Sequence, residues 1–267
     1  MNQNAIPIVL AAGLLSAPAP PRPVEARAPA PPERLVDLTH AFDADTIYWP
    51  TAGGFVLDQV AHGKTDKGFF YAANKFCAAE HGGTHLDAPI HFFEGRRTTE
   101  QIPVEQLIGA SVRVDVRARC AQDRDHRIAV ADLVAFEIRN GRIPPGTIVL
   151  LQTGWGARWA DRAAYLGTAR TGPEAVAELH FPGLHPEAAR WLVRDRSVKA
   201  VGIDTASIDH GPSSSFESHV VLTEANVPVF ENVASLDGLP ETGFVVAALP
   251  MKIRGGSGGP LRIVAWW

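Results

Sequence analysis

The stretch His81-Gly82-Gly83-Thr84-His85-Leu86-Asp87-Ala88-Pro89-Ile90-His91 sets three histidines and an aspartate within eleven residues, and its reading decides how the rest is interpreted. A regular helix is disfavoured: Gly82 and Gly83 lose more backbone entropy on becoming helical than other residues, and Pro89 lacks the amide a helix interior needs. The alternative is an extended segment, in which alternate side chains share a face. That places His81, Gly83, His85, Asp87, Pro89 and His91 on one side. Gly82, Thr84, Leu86, Ala88 and Ile90, small or apolar, fall on the side that packs against a core. Neutral imidazole nitrogens and a carboxylate oxygen form the ligand set of catalytic zinc sites, where three protein groups leave one position open. The same donors suit manganese or iron, so residue type does not name the ion. The competing use of such a segment is an exposed, histidine-rich loop that holds no metal.

Further along, His219 opens a short helix-like stretch ending at Glu224, and Glu231 sits in the strand-like run Pro228–Val233. A carboxylate in an apolar strand needs a wet edge or a partner, because burying it alone costs several kcal/mol or shifts its pKa. Both uses of Glu231 stand at this point. Working outward, strands are predicted over Leu35–Leu38, Phe55–Val60, Ser111–Val116, Thr147–Gln152, Val198–Ile203, Val227–Val233, Phe244–Ala248 and Leu261–Ala265. Helices are predicted over Ala129–Arg139, stopping at Asn140-Gly141, and over Pro186–Arg194, with proline in the first turn. Strands and helices mix without strict alternation, which implies an α/β or α+β domain around a mostly β core, occupying 33–267 with no internal repeat.

The chain has 267 residues and a formal charge of -4, with no basic stripe to track a phosphate backbone, so nucleic acid is not an expected partner. Cys77 and Cys120 lack a Cys-x-x-Cys spacing; two buried free thiols are preferred to one disulfide. Residues 1–32 differ in character. Ile6–Leu15 is apolar and Ser16–Pro32 is rich in alanine and proline, which reads as a secretory signal with Ala17-Pro18-Ala19 as the cleavage candidate, or else as a disordered tail. Export makes the expected location periplasmic or secreted, otherwise cytoplasmic. No later run is long and apolar enough to cross a membrane.

His81-x-Gly83-Thr84-His85-x-Asp87-x-Pro89-x-His91-Phe92, followed by His219-x11-Glu231, resembles the putative cyclase family, whose members include bacterial kynurenine formamidases and isatin hydrolases. The resemblance extends to Val36-Asp37-Leu38-Thr39, Trp49-Pro50, Gly202–Asp209, and Leu249–Ile253 leading into Gly256-Ser257-Gly258, so it spans nearly all of the chain after the first 32 residues. It implies a swivelling β/β/α domain with an open, barrel-like mixed sheet, assembled as a homodimer or homotetramer. It also implies His81, His85 and Asp87 as ligands of a first ion, and Asp87, His219 and Glu231 as ligands of a second in the formamidase branch. The ions would be Zn2+ or Mn2+, one or two per subunit. His91 matches the residue taken to carry protons; from the residues alone, a fourth ligand remains the alternative.

The implied activity is hydrolysis of a carbon–nitrogen bond in an aryl formamide or cyclic amide by metal-activated water, with a small aromatic substrate. A metal-dependent cyclase, dehydratase or lactone hydrolase, and a non-catalytic metal-binding protein, are the alternatives. Trp49, Phe70, Tyr71 and Trp155 are candidates for an aromatic pocket, although aromatics near strand ends more often pack in a core or interface. His40, His62, His126 and His210 are read as structural or solvent-facing, while His180 and His185, flanking Phe181-Pro182-Gly183, are read as part of a surface turn, with a place near the site or at a subunit contact as the alternative. Gly255–Pro260 lacks the Gly-Lys-Ser/Thr ending of a phosphate loop, and Ser257 lacks the following helix of a nucleophile elbow, so a tight turn is expected there.

Overall fold

The computed structural model describes residues 32–267. Residues 1–31, which carry the expected signal or tail, lie outside the described residues. The strands are β1 (Leu35–Asp37), β2 (Val56–Lys64), β3 (Phe70–Cys77), β4 (His85–Asp87), β5 (Ile108–Asp115), β6 (Arg127–Ile128), β7 (Ile148–Gln152), β8 (Gly183–Leu184), β9 (Ala200–Ile203), β10 (Val229–Glu231), β11 (Phe244–Pro250) and β12 (Gly258–Trp266). The α-helices are α1 (Val104–Leu107), α2 (Arg117–Cys120), α3 (Val130–Asn140), α4 (Arg162–Leu166), α5 (Pro186–Arg194) and α6 (Glu217–Glu224). As expected, α3 ends at a glycine with positive φ, Gly141, and α5 starts at Pro186.

The main sheet runs in the order β1-β12-β11-β5-β7-β9-β10-β4, and β4 pairs again with β12. The mixed, barrel-like sheet implied by the sequence is present, and this last pairing closes it. Pairing is parallel from β5 through β7 and β9 to β10, and antiparallel elsewhere. The parallel strands read as near-continuous apolar runs because both of their faces are covered. Ile148, Leu150, Ala200, Phe230, Val246 and Ile263 point into the barrel with Leu86. The alternate residues Val149, Leu151, Val201, Ile203 and Val229 point outward, where Leu133, Phe136, Ala188, Leu192 and Leu222 of α3, α5 and α6 cover them.

Strand β4 is the short seam of this barrel. Its register sets His85 opposite Glu231 on one side and Pro260 on the other, and Asp87 opposite Val229 and Gly258. Because side chains alternate, Leu86 enters the barrel core while His85 and Asp87 emerge on the outer face, under α6. Here the expectation of an extended segment is met only over His85–Asp87: Pro89–His91 is a turn of 3-10 helix, since proline supplies no ladder amide and its fixed φ suits a first helical turn.

One hairpin stands apart from the barrel. Among the described residues, strands β2 and β3 pair only with each other, with a bulge at Gln59/Ala61, and carry exposed Val56, Leu57, Val60, Phe70, Tyr71 and Phe76. Strand β3 was not expected from the sequence. Cys77 lies at its end and is exposed, whereas Cys120 is buried; both are free thiols, so only one of the two expected buried thiols is buried.

Candidate metal centre

Four elements supply the site. Strand β4 brings His85 and Asp87, the preceding loop His81, the end of β10 Glu231, and the first half of α6 His219. His81, His85 and Asp87 form one group whose potential ligand atoms all lie within 4.8 Å of one another, and Asp87, His219 and Glu231 form a second, sharing Asp87. Except for His81, these side chains are buried. Glu231 is 4% exposed, which rules out the solvent-facing use of that carboxylate.

The hydrogen bonds around the imidazoles decide what they can do. His85 Nδ1 lies 3.0 Å from the Gly83 carbonyl oxygen, and His219 Nδ1 lies 2.7 Å from Asp209 Oδ2. Both partners only accept, so each Nδ1 carries the proton and each Nε2 presents a lone pair. Those Nε2 atoms face carboxylates: His85 at 3.2 Å from Asp87 and 3.5 Å from Glu231, His219 at 3.1 Å from each. Lone pairs aimed at anions repel unless a cation, either a proton or a metal ion, lies between them. The outer donors held by a carbonyl or carboxylate are the arrangement that orients histidine ligands in metal sites.

The pKa shifts express the same demand. Burial opposes charge on His219, yet hydrogen bonds with Asp209, Asp87 and Glu231 hold its pKa well above the usual imidazole value. Burial likewise works to raise Asp87, but the charge of His81 and hydrogen bonds from His219, His81 and His85 hold it well below the usual carboxylate range. Glu231 is pushed up, first by burial and then by the Asp87 charge. Protons thus take the place that a divalent cation would fill, and the donor set fits such an ion.

His91 belongs to neither group. Its ring stacks on His81 at a centroid distance of 3.7 Å and is 6.3 Å from His219. Burial lowers its pKa to about 4, so the ring is neutral at neutral pH.

A cavity of about 300 Å³ opens over these residues, walled by Ile47, Tyr48, Trp49, Phe92, Phe216 and Ala206. Of the aromatics proposed from sequence, Trp49 lines it. Trp155 is instead buried in the neighbouring cluster, its indole N–H donating to the Tyr165 carbonyl at 2.6 Å. Phe70 and Tyr71 sit exposed on the hairpin. Gly82 is needed beneath the pocket, where an added Cβ would lie 2.0 Å from the Tyr48 ring. Phe216 and Asn232, which flank His219 and Glu231, adopt left-handed φ of 50° and 53°, a strained backbone of the kind found at functional sites.

The other histidines are peripheral: His40 stacks on Trp159, His126 meets Asp132, His180 meets Asp125, and His185 caps α5. The sequence reading gave no role to Asp209, Glu80, Phe92 or Phe216. Asp209 lay inside a quoted motif, and its place before a histidine-bearing helix was the available signal.

The family model described as putative cyclase matches residues 36–210. The isatin hydrolase of Roseibium aggregatum is 34% identical over 207 residues, covering 74% of this chain and 76% of that protein. The kynurenine formamidase of Salinibacter ruber is 26% identical over 230 residues, covering 86% and 96%. Among solved structures, isatin hydrolase A from Ralstonia solanacearum superposes with a TM-score of 0.79 at 33% identity, covering 87% of this chain and 91% of the other.

Proposed function

We propose, from the premise that this chain belongs to the putative cyclase family, that it is a metal-dependent hydrolase of the carbon–nitrogen bond in a neutral aryl amide or aromatic cyclic amide. The observation that carries this reading is the pair of inward lone pairs, on His85 and His219, aimed at the buried carboxylates of Asp87 and Glu231. His81, His85 and Asp87 would hold one divalent cation, and Asp87, His219 and Glu231 a second. Zn2+ and Mn2+ both suit imidazole and carboxylate donors. When bound, such a cation acidifies water toward a pKa of about 7 and polarises a carbonyl.

The chain's own groups shape the rest. Trp49, Phe92 and Phe216 offer flat apolar walls to an aromatic ring and keep bulk water from the carbonyl. No lysine or arginine lines the cavity among the described residues, so nothing there would pair with the carboxylate of an amino-acid tail. That favours a neutral cyclic amide, as in isatin, over a zwitterionic formamide. His91, neutral at working pH, accepts a proton at a ring nitrogen as water adds to the carbonyl. It returns that proton to the departing nitrogen as the carbon–nitrogen bond breaks.

Elemental analysis of protein purified without chelator, followed by assay on isatin and on N-formylkynurenine, tests the reading. Bound divalent metal at one or two equivalents, with chelator-sensitive opening of isatin, is expected. Metal-free protein that remains active would refute it.

A further inference from the structure

The run Gly255-Gly256-Ser257-Gly258-Gly259-Pro260, which reads from sequence as no more than a tight turn, ends against the site. Ser257 Oγ lies 2.8 Å from His81 Nε2 and 2.6 Å from Glu80 Oε2, and the Ser257 amide donates to the same Glu80 oxygen at 2.9 Å. An ionised carboxylate only accepts, so the serine hydroxyl donates to Glu80 and keeps a lone pair for His81. His81 therefore keeps a proton on Nε2, so that when a cation replaces the proton between its Nδ1 and Asp87 Oδ1, 2.6 Å apart, Nδ1 is the atom that presents a lone pair.

The turn is built for this contact. Thr99 Oγ1 donates to the carbonyls of Gly256 and Gly258 at 3.0 and 3.1 Å, and the Ala88 amide donates to the Ser257 carbonyl at 2.8 Å. A Cβ on Gly258 would sit 2.5 Å from both His81 Cε1 and the Leu86 carbonyl oxygen, and one on Gly256 would sit 2.8 Å from Glu80 Oε1. The glycines let the loop approach Glu80 and His81 closely enough for the serine to reach both. The order Ser257–His81–Asp87 also has the outline of a hydrolytic triad. A hydroxyl that donates to Glu80 and accepts from the imidazole is not activated as a nucleophile, however.

We propose that Ser257, anchored by Glu80, is a positioning residue that fixes the tautomer and ring orientation of His81, so that Nδ1 is the atom offered to the cation. The proposal rests on the metal-binding reading above. It completes a pattern: His85 is held by the Gly83 carbonyl and His219 by Asp209, and Ser257 does the same for His81. Among the three, His81 is the most exposed, at 23%, and has the most freedom to turn over once its outer partner is removed.

The test is Zn2+ titration of the metal-free full chain against a chromophoric chelator, for wild type, Ser257→Ala and Glu80→Gln. Ser257→Ala is expected to bind the ion about 10–100-fold more weakly, the range for loss of an outer partner of a ligating histidine, with the metal-free melting temperature retained. Glu80→Gln, which leaves the hydroxyl in place, gives a smaller loss in the same direction and keeps the test open should Ser257→Ala fold poorly. Nitrogen NMR of the Zn2+-loaded protein reads the tautomer directly: His81 is protonated on Nε2 in the wild type, and both forms of the ring are populated in Ser257→Ala. Wild-type affinity and an unchanged tautomer in Ser257→Ala, with Glu80→Gln also unaffected, overturn the proposal while leaving the metal reading intact. Failure of the wild type to bind Zn2+ or Mn2+ overturns the metal reading itself.

Discussion

Asp209→Asn exchanges one oxygen for an NH2 group in a place where every neighbour donates. Asp209 Oδ1 accepts from the Ser218 amide at 3.0 Å; Oδ2 accepts from the His219 amide at 3.1 Å and from His219 Nδ1 at 2.7 Å. With the amide oxygen kept toward His219, the NH2 group abuts the Ser218 amide, and a buried donor left without its partner costs about 1–3 kcal/mol. Turned the other way, the NH2 group faces His219, and Nδ1 must become an acceptor. The ring proton then moves to Nε2, the atom that faces Asp87 and Glu231. In either orientation the imidazole loses an anionic partner, which for ligating histidines costs about 10–100-fold in metal affinity, or about 1.4–2.8 kcal/mol at 1.4 kcal/mol per decade. Calorimetric titration with Mn2+ and Zn2+, run beside thermal melts of the metal-free protein, measures both effects. An Asp209→Asn protein that binds metal within twofold of wild type, at the same stoichiometry, would refute the reasoning about tautomers.

Three further outcomes are expected. His91→Ala should lower turnover about 10²–10⁴-fold, the usual contribution of a general acid–base group, while elemental analysis finds the metal content unchanged; loss of metal would make His91 a ligand instead. Arg196 grips Glu137 in a bidentate pair from one guanidinium edge, Nε donating to Oε1 at 2.6 Å and Nη2 to Oε2 at 2.7 Å, and hydrogen bonds from Arg196, against the opposing effect of burial, hold the Glu137 pKa below the usual carboxylate value. The pair's contribution is present above the unfolded carboxylate pKa and disappears as pH falls through the lowered folded value. Glu137→Gln should therefore cost about 1–2 kcal/mol at pH 7 and progressively less in denaturant melts at acid pH; a gap independent of pH rejects this account. If the expected homodimer or homotetramer forms through the exposed apolar hairpin, its contacts are open to test. Phe70→Glu combined with Phe76→Glu should convert an oligomer to monomer in light-scattering chromatography, and an unchanged mass would place the interface elsewhere.

Much of the site was legible because its densest part is local. His81, His85, Asp87 and His91 fall close enough in sequence that alternation alone suggests a shared face, and Glu231 stood out as a charge inside an apolar run. The parallel strands were equally plain, since burial on both faces leaves a continuous stretch such as Ile148-Val149-Leu150-Leu151. What escaped depends on contacts between distant residues. Strand β3 carries Asn74 and Lys75 and, among the described residues, pairs only with its hairpin neighbour, so it shows no core-facing alternation. Closure of the barrel rests on a seam three residues long, too short to announce itself by periodicity. The bond between Ser257 and His81 crosses 176 residues, and the pocket walls Phe92 and Phe216 come from segments whose nearness only the folded chain reveals.

The seam has a consequence for biosynthesis. Residues 85–87 are made long before their two neighbours in the barrel, Val229–Glu231 and Gly258–Pro260. Until residues 258–260 have been made, the imidazoles of His81 and His85 have no closed scaffold, and Glu231 and Ser257 are not yet in place to complete their surroundings. A cation held as proposed would therefore bind only after residue 260 is in place, and deletion of residues 256–267 would forfeit the site by leaving the cylinder unsealed, although it removes none of the proposed ligands.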